Sequence, residues 1–201
     1  MGAQNSGQKI RETRKLTDKP IGVDLLLPVN LDTNAEPTRT TLRQQIERDY
    51  PKHYAFMREQ LEKHGIAEVQ VASESVVSVD QTHAQVEVVL EEDVQVFAAG
   101  LGDPSWIVPM AHEEGMTVVG LVGSPRNAER QVAAGCDILV AQGYEAGGHT
   151  GKIANFPLIP QVVDAVSPVP VVAAGGMADG RGITAALSLG AIGVWLGTAP
   201  Q

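Results

Sequence analysis

From about residue 94 onward, apolar positions fall into short unbroken runs separated by amphipathic stretches. The runs are Val94 to Ala99, Thr117 to Val122, Ile138 to Gln142, Val169 to Ala174 and Ile192 to Leu196. Runs this short and this continuously apolar read as strands covered on both faces, which is the pattern of a parallel sheet clothed by helices. The intervening stretches carry helix boundaries. Asp103, Ser124 and Asp179 can accept from orphan amides of a first turn, and Pro104 and Pro125 stand at the first helical position, where a missing N–H costs nothing. Gly115, Gly135 and Gly190 supply the left-handed residue that ends a helix. The expected unit is a repeated βα pair.

Upstream the pattern is less regular. Ile21 to Leu27 reads as one more buried strand, interrupted by Asp24, and Thr38 to His64 reads as a helical region broken at Pro51 and ending at Lys63, His64 and Gly65. Val69 to Val79 alternates weakly, as an edge hairpin or a linker would, and Asp80 to Glu92 resembles a capped helix. Six strands result, two short of a closed eight-stranded barrel. The fold expected is α/β, a partial TIM-type (β/α)8 barrel forming a single incomplete domain over residues 1–201. An open doubly wound sheet is the alternative, but its phosphate loop follows the first strand, and Gly22 does not sit in such a loop.

Strand starts from Val94 onward are spaced by 23, 21, 31 and 23 residues. The long interval holds Gly143-Tyr144-Glu145-Ala146-Gly147-Gly148-His149-Thr150-Gly151. In a barrel, extra length after a strand adds surface at the end where ligands bind and nothing that the scaffold requires.

Composition narrows the function classes. With 43% hydrophobic and 19% charged residues, 201 residues can build one substantial core. A net charge of −9 without a Lys/Arg cluster argues against nucleic acid, so an anionic ligand must be held mainly by backbone N–H groups. No apolar run approaches the roughly 18 residues that span a bilayer, and the first twenty residues lack the apolar core of a signal peptide. The lone Cys136 can form neither an internal disulfide nor a zinc site, and a reducing cytoplasm fits.

Three strand ends carry candidate chemistry. Gly175 and Gly176 follow one strand, and Gly197 and Thr198 follow the next; their amides, with the N-terminus of the following helix, could surround a phosphate, or they could be plain turn glycines. His149 carries an imidazole, a side chain suited to general-base work, between glycines that let a substrate approach; an exposed loop histidine is the other reading. His53, His64, His83 and His112 lie in or beside expected helices without ligand-like spacing and read as surface residues. Gln142 could meet a heterocycle edge or be satisfied by its neighbours. Asp24 in a strand must face a polar mouth or meet a donor. Cys136, before a strand, reads as core packing, and Tyr144, Glu145 and Lys152 read as solvated.

The segments GYEAGGHTG and VVAAGGMADGRGITAALSLGAIGVWLGT, with PIGVDLLLP and VFAAGLGDP upstream, make the chain resemble the nitronate monooxygenase family, formerly called 2-nitropropane dioxygenases, over about residues 9–199. The resemblance implies an FMN-binding barrel that oxidises alkyl nitronates or nitroalkanes with O2 to a carbonyl compound and nitrite, with His149 as the base. It implies flavin contacts from Asp24, Gln142, Gly147, Gly148, Gly175, Gly176, Leu196, Gly197 and Thr198. The family often has asparagine where this chain has Asp24. It also begins with two further strands and ends with added helical segments, so the chain is expected to be truncated at both ends. NAD(P)H-dependent flavin reductases acting on enoyl thioesters or quinones look similar across the same loops and are the alternative, as is an inactive fragment. The partners implied are a small-molecule substrate and O2, with homo-oligomerisation left open.

Overall fold

The computed structural model describes residues 3–27, 38–67 and 78–198. Its strands are β1 (Gly22–Leu26), β2 (Val96–Gly100), β3 (Thr117–Val122), β4 (Ile138–Gln142), β5 (Val171–Ala174) and β6 (Gly193–Trp195). Its helices are α1 (Ala3–Arg14), α2 (Arg39–Asp49), α3 (Pro51–Lys63), α4 (Val79–Glu91), α5 (Val108–Glu113), α6 (Pro125–Ala133), α7 (Asn155–Val166) and α8 (Gly180–Ser188). The sheet is parallel throughout, in the order β1-β2-β3-β4-β5-β6. Each strand lies beside the one before it, so the sheet winds in one direction. A doubly wound fold would reverse its strand order, and this one does not. The result is an α/β fold, six strands of a TIM-type barrel wall.

Side-chain alternation explains the unbroken apolar runs. Phe97, Val118, Leu139 and Val171 belong to the main core that the strands share with helical Val86, Leu158 and Val162 and with Ile107, just before α5. Ala98, Val119, Val140 and Ala174 form a second, smaller cluster with Val96, Leu121, Ile138 and Val172. Consecutive residues such as Leu139 and Val140 thus go to opposite faces, and both faces are apolar.

Most helix ends follow the expected chemistry. Ser124 accepts from the Asn127 amide at 3.3 Å, and Asp179 from the Arg181 amide at 2.9 Å. Gly115, Gly135 and Gly190 adopt φ of +73°, +99° and +96°. The break at Pro51 separates α2 from α3, neither of which buries a residue. Asp103 is different. Its carboxylate accepts from Ser105 N at 2.9 Å in a local turn, and α5 begins only at Val108 behind Ile107, so Pro104 is not its first residue. A short Asx turn has taken the bonds that a longer helix would have used.

Three other expectations change. β1 is an edge strand, not a buried one: Leu25 is buried, whereas Asp24 and Leu26 are exposed, because only β2 covers it. β2 and β5 start at Val96 and Val171, two residues later than the apolar runs suggested. Helix α1 was not anticipated, since its first twelve residues show no apolar stripe. It is held by one buried isoleucine, Ile10, and by contacts with the α4 region: Gly7 packs beside Val88, and Arg11 pairs with Glu92. Most of the stretch from Val69 to Val79 lies outside the described residues; Val79 itself opens α4, capped by Ser78. Among the described residues no helix is long and apolar enough to cross a membrane.

Candidate functional site

The loops after β2, β3, β4, β5 and β6 gather at one end of the sheet and bound two clefts. The first, of about 1180 Å³, is lined by Gly100, Ser105, Ser124, Arg130, His149 and Thr150 among others. The second, of about 580 Å³, is lined by Gly147, Gly175, Gly176, Leu196, Gly197 and Thr198. Asp24, Leu121 and Gln142 line both. The histidine and the glycine loops therefore face neighbouring clefts that meet above the sheet. Gly148 lines neither. It takes φ +75° on the exposed side of its loop, so its place is a turn.

His149 is exposed, but its loop is not free. Gln142 Nε2 donates to the His149 carbonyl at 3.0 Å, and Gly151 packs so closely on Gly123 that a Cβ on Gly151 would lie 2.8 Å from the Gly123 oxygen. Gln142 is thereby partly satisfied by its neighbour, with its carbonyl oxygen still available to a ligand. At the loop's base Tyr144 N donates to Ile153 O at 3.1 Å, and Gly143 N donates to Asn155 Oδ1 at 2.8 Å.

The second cleft offers donors rather than cations. Among the described residues the Gly176, Gly197 and Thr198 amides meet no protein acceptor. Gly147 and Gly197 leave open space where a side chain would stand. A phosphate fits such a set, being held by oriented N–H groups without a buried lysine or arginine. The N-terminus of α8, expected to assist, is occupied: Asp179 caps it and its carboxylate binds the Arg181 guanidinium at 2.5 Å.

Asp24 stands on β1 opposite Ala98 of β2, beside Gly100. The crowded mouth removes enough water to push its carboxyl above the ordinary carboxylate value of 3.8, while a Gly100 backbone hydrogen bond pulls it back. It therefore does face a polar mouth and meet a donor. Cys136 is buried, with its thiol pushed up to about 12 by burial first and then by Asp137 and Asp103; it donates to Gln131 Oε1 at 3.3 Å. That environment makes it a packing residue. His53, His64, His83 and His112 are exposed, His83 stacked on Trp106 and His112 bonded to Asp137 at 3.0 Å.

A model of the family described as nitronate monooxygenase matches residues 1–200. The chain belongs to the nitronate monooxygenase family. Rv1533 of Mycobacterium tuberculosis, described as a monooxygenase, is 42% identical over 187 residues, covering 90% of this chain and 50% of that protein. The chain spans about half the length of the curated relatives it matches. Nitroalkane oxidase from Streptomyces ansochromogenes superposes with a TM-score of 0.73 at 27% identity, over 98% of this chain and 55% of that one. FabK from Thermotoga maritima superposes at 0.69 with 30% identity, over 96% and 46%.

In this nitronate monooxygenase family member, two residues that hold the loops of the site escaped the sequence reading. Glu145, read as solvated, accepts from Asn155 N through both carboxylate oxygens at 3.0 Å, and Asn155 was not singled out at all. The available signal was an asparagine beside a helix start whose preceding residue, Ala154, cannot cap it.

Proposed function

We propose that residues 1–201 form an incomplete FMN-binding barrel domain of an enzyme that oxidises alkyl nitronates or nitroalkanes with O2 to a carbonyl compound and nitrite. The observation that carries this reading is the meeting of two clefts at Gln142, one walled by His149 and the other by donor-rich glycine loops. Family membership and the nitroalkane oxidase fold support it. When bound, FMN supplies the electron acceptor and the route to O2.

The chain's own residues do the rest. The Gly176, Gly197 and Thr198 amides hold the phosphate, with Gly147 and Leu196 lining the approach and Gly175 shaping the loop. Gln142 would offer its carbonyl oxygen to a donor on the cofactor, and Asp24 stands at the same junction. His149 takes the proton from the carbon bearing the nitro group, which generates the nitronate in the first cleft. The glycines beside it keep that carbon within reach.

His149→Ala should lower kcat/KM for a neutral nitroalkane by roughly 10²- to 10⁴-fold, the usual worth of a positioned base, and spare a preformed nitronate. Steady-state oxygen uptake on both substrates measures it, and equal losses on the two would refute the assignment.

The FabK likeness favours one second reading, a reductase that draws electrons from NADH or NADPH at the same flavin. Anaerobic mixing separates the two. Bleaching of the flavin by a nicotinamide supports the reductase, and bleaching by a nitronate supports the monooxygenase.

A further inference from the structure

The loop that carries His149 runs from Gly143 to Ala154, and a chain of that length without internal structure is ordinarily mobile. Here its base is tied by one residue that reaches in three directions, two through its side chain and one through its backbone N–H. Asn155 Oδ1 accepts from Gly143 N at 2.8 Å, Asn155 Nδ2 donates to Gly175 O, and Asn155 N donates to Glu145. Only a carboxamide can accept from one loop and donate to another through the same fork. Glu145 supplies the cap that Ala154 cannot, placing a carboxylate at the N-terminus of α7.

Close packing repeats the hydrogen bonds. A Cβ on Gly175 would lie 2.8 Å from Ala146 N, and one on Gly176 would lie 2.8 Å from Glu145 Cβ. A Cβ on Gly143 would lie 2.4 Å from Asn155 Oδ1. The glycines are thus required by contact between loops as well as by φ of +97° and +68° at Gly175 and Gly176.

We propose that Asn155 and Glu145 are positioning residues that interlock the His149 loop with the Gly175–Gly176 loop, so that filling the glycine cleft also sets the imidazole. Asn155 lines neither cleft, so it acts only through these contacts. The ligand side of this inference rests on the flavin reading, whereas the interlock itself belongs to the protein without flavin.

The test uses the complete protein with Asn155→Ala, Asn155→Asp, Glu145→Ala and Glu145→Gln. In the flavin-free form, Asn155→Ala should speed exchange of the Gly143 amide about tenfold, the loss of one hydrogen bond, and shift the Gly176 amide resonance, whose peptide carries the Gly175 carbonyl. FMN titration should show binding weakened about tenfold by the same variant. Glu145→Gln, which keeps an oxygen acceptor, should retain more of both properties than Glu145→Ala. Should Asn155→Ala fail to fold, Asn155→Asp keeps the acceptor for Gly143 and loses the donor to Gly175; it should shift Gly176 while sparing Gly143 exchange.

A merely structural Asn155 would lower the melting temperature and leave FMN affinity and the Gly176 resonance unchanged, which overturns the proposal. If the unaltered protein takes up no FMN, the flavin reading falls. The interlock then stands or falls on the Gly143 exchange and the Gly176 resonance of the flavin-free form.

Discussion

Asp24 and Leu139 occupy contrasting environments in this sheet. Asp24 is exposed at the rim of the clefts, and its carboxyl titrates above the ordinary value because partial loss of water around it outweighs the Gly100 hydrogen bond. Between the ordinary and the raised value, the folded chain holds a proton that the unfolded chain has released. The stabilisation is therefore complete below the ordinary value and is lost as pH rises through the folded one. Asp24→Asn should remove this slope. Urea unfolding of both forms at about pH 3 and pH 7 should show the variant gaining on the parent as pH rises, and parallel curves would rule the effect out. Leu139 is fully buried between the strands and the helix layer. Its replacement by alanine leaves a cavity and should cost about 2–5 kcal/mol, read from the shift in urea midpoint.

At the scale of elements, the βα unit from β3 to β4 shows how local signals make a helix. Ser124 caps α6, Pro125 begins it, and Gly135 turns the chain back toward Cys136. Ser124→Ala should destabilise the protein by about 1 kcal/mol, a loss that Ser124→Asp largely avoids because the carboxylate caps as well; thermal melts of the two variants check this. These signals were legible because each depends on residues within four positions of one another. The start of α5 was misread for the opposite reason: Asp103 and Pro104 resemble a helix start, but the turn at Ser105 satisfied the carboxylate first. Helix α1 was invisible because its burial comes from the α4 region rather than from an apolar stripe of its own.

Across the whole molecule, strand order decides what the loops can do together. Consecutive parallel pairing brings the ends of β4, β5 and β6 side by side, so loops separated by tens of residues share one cleft. The acidic surface also matters at this scale. With a net charge of −9, the proposed anionic cofactor would gain little from the overall field, and the glycine loops would hold it by short-range N–H groups. Under the proposed reading, binding would depend on loop position, and a residue outside both clefts would govern it through the loops it ties.

By itself the sequence determined the alternation of strand and helix, the parallel sheet, the loop that bears His149 and the glycines that follow three strands. Each follows from apolar period, capping chemistry or φ preference, which act over a few residues. Only the tertiary structure decided that Gly148 lines neither cleft, that the Asp179 carboxylate pairs with the Arg181 guanidinium, and that Asn155 ties Gly143 to Gly175. Those outcomes depend on where neighbouring strand ends lie relative to one another, a geometry set by register and packing across the sheet rather than by local chain preference.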